Sequence, residues 1–243
     1  MARSVVLQGT HRCARCELPP RWCICAAQHC VPCPLRIDIL QHALEAYRPS
    51  STGNLIPRVV ADARVHAYRR ERGVDRAEIL RPDCAELWIL HPYGDTPPAA
   101  PPPPERLQIL LLDASWAQAG GMLAQVQNWG RRVRLPMAGS SRYALRAQNG
   151  ADRFSTFEAL LFLLTELGLH EAAAGLRLQF ELHVYAGLCS RGRKAEAAAY
   201  LEASPVKTAF PELLAEFARR RPSEASPGIN RPPTPAPGGL KAP

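Results

Sequence analysis

The sequence predicts an α/β fold with a mostly parallel sheet flanked by helices, on three observations. Short strand-like runs alternate with segments of helical period along most of the 243 residues, the pattern of strand–helix–strand units. One run, Ile109 to Leu112, is wholly apolar and stops at Asp113, as suits a strand covered on both faces. Residues 155–168, STFEALLFLLTELG, form the strongest helical segment. Ser155 caps it, Glu158 three positions on suits a capping box, and Gly168 ends it.

Taken in chain order, residues 1–34 are cysteine-rich and too short to fold by burial alone, for which a bound metal is the usual remedy. LRIDILQH (35–42) reads as a strand, and the turn formers of AYRPSSTGN follow it. Residues 57–72, PRVVADARVHAYRRER, are predicted as an amphipathic helix started by Pro57. ELWILH (86–91) is the second strand, and a proline-rich connector runs from Pro97 to Glu105. Leu107 to Leu112 is the third strand, with a helix near 115–128 that Gly120 and Gly121 weaken. RRVRLP (131–136) is a short fourth strand, and further helices cover about 171–188 and 211–220. From Arg221 the tail carries seven prolines and is expected to be disordered. The expected division is therefore 1–34, 35–220 and 221–243.

The net charge is +8, and only three of the 30 basic residues are lysine. The arginines cluster at 69, 70 and 72, at 131, 132 and 134, and at 142, 146 and 153. Arginine's planar fork suits phosphate, so a nucleic acid is an expected partner; a compositional arginine bias is the plainer explanation. No apolar run approaches the roughly 18 residues of a membrane helix. The N-terminus lacks the apolar core of a signal peptide. A cytoplasmic protein with no membrane partner is expected.

Six of the eight cysteines lie between Cys13 and Cys33. In a reducing compartment that density points to a metal before a disulfide. Cys13-x2-Cys16 and Cys23-x-Cys25 supply four thiolates, a set for one tetrahedral Zn2+. Cys30-x2-Cys33 competes as a pair, and His11 and His29 lie nearby. Redox thiols and an iron–sulfur cluster are the alternatives.

Four polar islands remain. His42, Glu45, Arg48, Ser50, Ser51, Thr52 and Gly53 follow the first strand; Asp113, Ser115 and Trp116 follow the third. Ser141, Tyr143 and Arg146 follow the fourth, and Ser155, Thr156 and Glu158 open the strong helix. Singly, each has a plainer reading as a turn, a solvated loop or a helix cap. Asp113 is the exception in position: ligands of open α/β sheets sit outside the carboxyl ends of strands.

In order, the motifs C-x2-C-x6-C-x-C from Cys13, QH-x2-E-x2-R-x-S-x-TG from Gln41, D-x-S-W from Asp113, S-x-Y-x-LR from Ser141 and ST-x-EA from Ser155 resemble the DTW-domain family. The resemblance covers roughly residues 11–200. It implies a SPOUT-like fold with a C-terminal knot, and a tRNA-uridine aminocarboxypropyltransferase. Such an enzyme moves the 3-amino-3-carboxypropyl group of S-adenosylmethionine to N3 of a uridine in tRNA and releases methylthioadenosine. Departures are Ser115 for the family's threonine, Ser51 for its asparagine, Asn54 for a basic residue, and the Gly120–Gly121 pair.

On that resemblance the expected catalytic residues are Asp113 as the base at N3, with Ser115 orienting it and Trp116 stacking on uracil or packing the helix. Ser141, Tyr143, Arg146, Ser155, Thr156 and Glu158 are expected to hold the S-adenosylmethionine, Arg146 by clamping the carboxylate. His42, Glu45, Arg48, Ser51, Thr52 and Gly53 are assigned to substrate. Rival functions are an RNA methyltransferase, a non-catalytic zinc-dependent RNA-binding protein and a thiol oxidoreductase.

Overall fold

A computed structural model describes residues 11–146 and 153–220; the proline-rich tail lies outside the described residues. Five strands form one parallel sheet: β1 (Arg36–His42), β2 (Arg64–Tyr68), β3 (Glu86–Asp95), β4 (Leu107–Asp113) and β5 (Arg131–Val133). Their spatial order is β2-β1-β4-β3-β5. The apolar runs of β1, β3 and β4 hold the middle, where both faces are covered. Ile37, Ile39, Trp88, Ile109 and Leu111 pack on one face with residues of α5 (Thr156–Glu166) and α6 (His170–Ser190). Leu40, Ile89 and Leu110 pack on the other with Met122, Leu123 and Val126 of α4 (Trp116–Val126).

One expected element is corrected. Residues 57–72 are not one helix: Pro57 does sit in a helix, α2 (Ile56–Val59), but it stops after one turn, and Arg64–Tyr68 is an edge strand paired with β1 from Asp38↔Arg64 onward. Val60 and Val65, just past and beyond the turn of α2, lose side-chain freedom in a helix and suit an extended chain. The expected fourth strand is shorter, ending at Val133. The helix with Gly120 and Gly121 forms across both, because Met122, Leu123 and Val126 pack it onto the sheet and that burial outweighs the glycines' cost.

The short helices α1 (Ala43–Ala46) and α2 connect β1 to β2, and α4 connects β4 to β5. Ile56 and Val59 of α2 belong to the α5–α6 face, whereas α4 covers the opposite face. The chain therefore leaves β1 and β4 in opposite directions from adjacent strands. That opens a crevice at their carboxyl ends, the switch point where α/β sheets bind ligands.

The cysteine-rich segment is not a separate body. Cys16, Leu18 and Ile24 are buried with Leu182 and Ala186 of α6, with Val206 of α8 (Val206–Ala209), and with Leu213 and Phe217 of α9 (Pro211–Arg219). The remaining helices are α3 (Arg76–Ile79) and α7 (Lys194–Glu202). No helix among the described residues is long and apolar enough to cross a membrane.

Candidate active site and candidate metal centre

A cavity of about 550 Å³ opens at the crevice between β1 and β4. Asp113, the last residue of β4, lies opposite Gln41 of β1 and is buried, only 4% exposed. Burying a carboxylate requires donors, and three are supplied. Gln41 Nε2 donates to Oδ2 at 2.9 Å, Ser51 Oγ donates to Oδ2 at 2.6 Å, and Thr156 Oγ1 donates to Oδ1 at 2.8 Å. Three of the four polar islands thus meet on one carboxylate. Gly53 is backed against it, and a β-carbon there would collide with the carboxylate. With two acceptor positions per oxygen, Oδ1 keeps one open among the described residues.

Glu45 is the second buried carboxylate, 1% exposed, and it does not line the cavity. It accepts from Arg48 Nη1 at 2.7 Å and from Arg146 Nη2 at 2.6 Å, and both arginines do line the cavity. Arg146 Nε also donates to Ser50 Oγ at 3.0 Å. Glu45 is thus an anchor that aims two cations at the space in front of Asp113. Tyr143 donates its hydroxyl to the Ser50 carbonyl. Burial pushes its phenol up to about 12, so at neutral pH it is a donor and not a base.

Glu158 turns wholly inward. It accepts from Ser141 Oγ at 2.9 Å, from the Arg142 N–H at 2.7 Å and from the Ser155 N–H at 2.8 Å. The Ser155 hydroxyl in turn accepts from the Glu158 N–H, closing the capping box. Glu158 therefore fastens the Ser141–Arg146 loop to the start of α5 and has no oxygen aimed at the cavity, which the resemblance did not anticipate. Ser115 likewise engages Gln118 at 2.7 Å and not Asp113. His42 Nδ1 caps α1 by accepting from the Leu44 N–H at 3.2 Å.

Of the expected residues, Asp113, Ser115, Trp116, Tyr143, Arg146, Ser155, Thr156, Arg48 and Thr52 line the cavity. His42, Glu45, Ser51, Gly53, Ser141 and Glu158 do not line it. Trp116 does not serve as core packing: it is 46% exposed at the cavity, with the Arg153 guanidinium 5.4 Å from the ring centre. Gln41 opens one of the family motifs but was given no role, because nothing local to an amide inside a strand shows that it will meet Asp113. His91 also lines the cavity. Burial, with Arg132 nearby, holds its imidazole below the ordinary range, leaving a neutral ring at neutral pH.

The second centre is the cysteine cluster. The Sγ atoms of Cys13, Cys16, Cys23 and Cys25 all lie within 4.8 Å of one another. Cys13 and Cys25 are 3.5 Å apart, and the Cys16 thiol donates to Cys23 across 3.7 Å. That hydrogen bond holds the Cys23 thiol below its usual range. Cys30 is exposed, and Cys33 packs against the main core. The competition between pairs is thereby resolved toward the first four. Four soft donors closing on one point fit a structural zinc-type metal ion.

A parallel α/β sheet with a carboxylate-centred crevice at its switch point, beside a four-cysteine centre, defines an α/β protein with the layout of an enzyme. The DTW domain family model matches residues 10–188, and the chain belongs to that family. Membership is consistent with an enzyme of tRNA modification. No solved structure matches the chain to a significant degree.

Proposed function

We propose that the protein transfers the 3-amino-3-carboxypropyl group of S-adenosylmethionine to N3 of a tRNA uridine. The observation that carries this reading is the convergence of the separate motifs on one cavity, with a buried carboxylate, two anchored arginines and an exposed indole facing the same space. The reading includes the SPOUT-like chain course with its C-terminal knot, and Zn2+ on the four cysteines as a structural ion.

When bound, S-adenosylmethionine supplies an electrophilic carbon beside a sulfonium that departs as the neutral thioether methylthioadenosine. The chain's residues align and deprotonate. Gln41, Ser51 and Thr156 hold the Asp113 carboxylate in place, and its open Oδ1 position accepts the N3 proton as the N3–carbon bond forms and the carbon–sulfur bond breaks. Of the five N–H groups on Arg146, two are committed to Glu45 and Ser50. The others, with Arg48 and the N-terminus of α5, hold the amino-acid carboxylate. That grip brings the propyl carbon, and not the methyl, to face N3, and alignment of this kind is the main source of acceleration for a donor already activated. Trp116 supplies a face for the unstacked uracil.

The test is nucleoside mass spectrometry of tRNA from cells with and without the protein, paired with the purified protein, tRNA and S-adenosylmethionine. The expected product carries the mass of the aminocarboxypropyl unit on uridine. A gain of one methyl would establish the methyltransferase instead, and RNA binding with no change in mass would establish a non-catalytic binder.

A further inference from the structure

We propose that the rim of this cavity is a stacking platform for an unpaired RNA strand, with Tyr47 and Tyr93 holding the bases on either side of the one at Trp116. The inference rests on the reading of the cavity as an RNA-modifying site and adds how the substrate is recognised. Five large apolar side chains stand exposed among the described residues: Leu44, Tyr47, Val65, Tyr93 and Trp116. Four of the five fall at the carboxyl ends of the three central strands. Tyr47, 82% exposed, follows β1 through α1; Trp116 follows β4; and Tyr93, 83% exposed, lies in the bulge of β3 between Leu90 and Asp95. Because the spatial order is β1-β4-β3, the three rings stand one per strand end, with the tryptophan in the middle.

Both tyrosines adjoin the cavity wall. Arg48, next to Tyr47, lines it, and so do His91 and Pro92, with the His91 ring 5.4 Å from the Tyr93 ring. Single exposed rings are ordinary, but apolar surface gathered at one rim marks a contact surface, and flat faces in a row beside arginine are how single strands are held without regard to base identity. The outer strands supply the charge. Arg69, Arg70 and Arg72 are exposed just past β2, and Arg134 is exposed just past β5. Paired bases have both faces covered, so such a rim selects a loop and rejects a helix.

The experiment titrates the full-length protein with a single-stranded uridine nonamer and with the same nonamer annealed to its complement. Wild type is expected to prefer the single strand. Tyr47→Ala and Tyr93→Ala should each weaken nonamer binding by about tenfold, the loss of roughly one base stack, while Tyr47→Phe and Tyr93→Phe bind as wild type. The salt dependence should keep its slope in all four variants, because no phosphate contact is removed. Uridine monophosphate, with no neighbours to stack, should bind wild type and variants alike. Alanine variants that bind the nonamer as wild type does, a wild type that prefers the duplex, or no nonamer binding at all would each overturn the platform. Weakened nonamer binding in a protein that transfers nothing from S-adenosylmethionine would keep the platform and reject the transfer; normal transfer with unaffected nonamer binding would do the reverse.

Discussion

Gly53 and Asp113 are packed so closely that the glycine's missing side chain is the space the carboxylate occupies. Gly53 has no need of a left-handed conformation; its hydrogen is simply all that fits. Gly53→Ala should force Asp113 away from Ser51 or push the loop off β4, an overpacking of about 1–3 kcal/mol. A thermal melt reads the stability loss, and product formation should fall further than the melt predicts because the carboxylate is displaced.

Asp113→Asn removes the charge and places an amide among three donors. The hydroxyls of Ser51 and Thr156 can turn to accept, so a folded protein is expected. Transfer should fall at least about a hundredfold, the usual scale for losing a positioned base. S-adenosylmethionine binding, measured calorimetrically, should change little. Full activity in a folded Asp113→Asn protein would remove this carboxylate from the chemistry.

Glu45→Gln should behave differently, because Glu45 does not line the cavity. Freed from their shared anchor, Arg48 and Arg146 lose their aim, and KM for S-adenosylmethionine should rise about tenfold, on the scale of one charge-assisted hydrogen bond. Arg146→Ala should raise it at least as much. A fall in kcat with KM unmoved would place Glu45 in the chemical step and not in binding.

The four-cysteine centre predicts one metal ion per chain, lost in Cys16→Ser but retained when Cys30 and Cys33 are both changed to serine. Elemental analysis of the purified proteins decides this. Chelation should lower the melting temperature of the whole protein, since Cys16 and Ile24 share a core with Leu182 and Phe217.

Nearer the start of β1, Asp38 is fully buried and accepts from His66, Arg81 and Gln108. Burial opposes its charge, but these donors prevail and hold the carboxyl below the usual range. A folded value below the unfolded one of about 3.9 means that the stabilisation is present above that pH and fades as pH falls through the folded value. Asp38→Asn takes one of two carboxylates from Arg81 and leaves it Asp62, so it should lose about 1.5–3 kcal/mol at pH 7. Its melting temperature should approach that of wild type as the pH drops below about 4.

How far the sequence could be read depended on whether a residue's role was local. Leu107–Asp113 and Thr156–Glu166 were legible because burial on both faces and a capping box leave local marks. Arg64–Tyr68 was not, because an edge strand with one buried residue shows no alternation, and pairing to β1 is a decision made by distant residues. Lys194–Glu202 was missed because its alanines make a helix without an apolar stripe. In the site, Asp113 could be placed from the end of an apolar run. Gln41 could not, since its partner lies 72 residues away. Glu45, Ser141 and Glu158 were found as members of motifs, but their inward orientation is a property of the packed molecule, and it leaves them outside the cavity lining.

Helix α6 presents Phe180, Val184 and Leu188 to the sheet and Leu182 and Ala186 to the cysteine segment. One rod therefore serves as the wall between two rooms and is finished on both sides. A shortened gene product beginning at Leu35 would leave one of those surfaces bare and greasy. The smallest piece of this protein worth expressing is expected to include its cysteines, and attempts to trim them away should end in inclusion bodies.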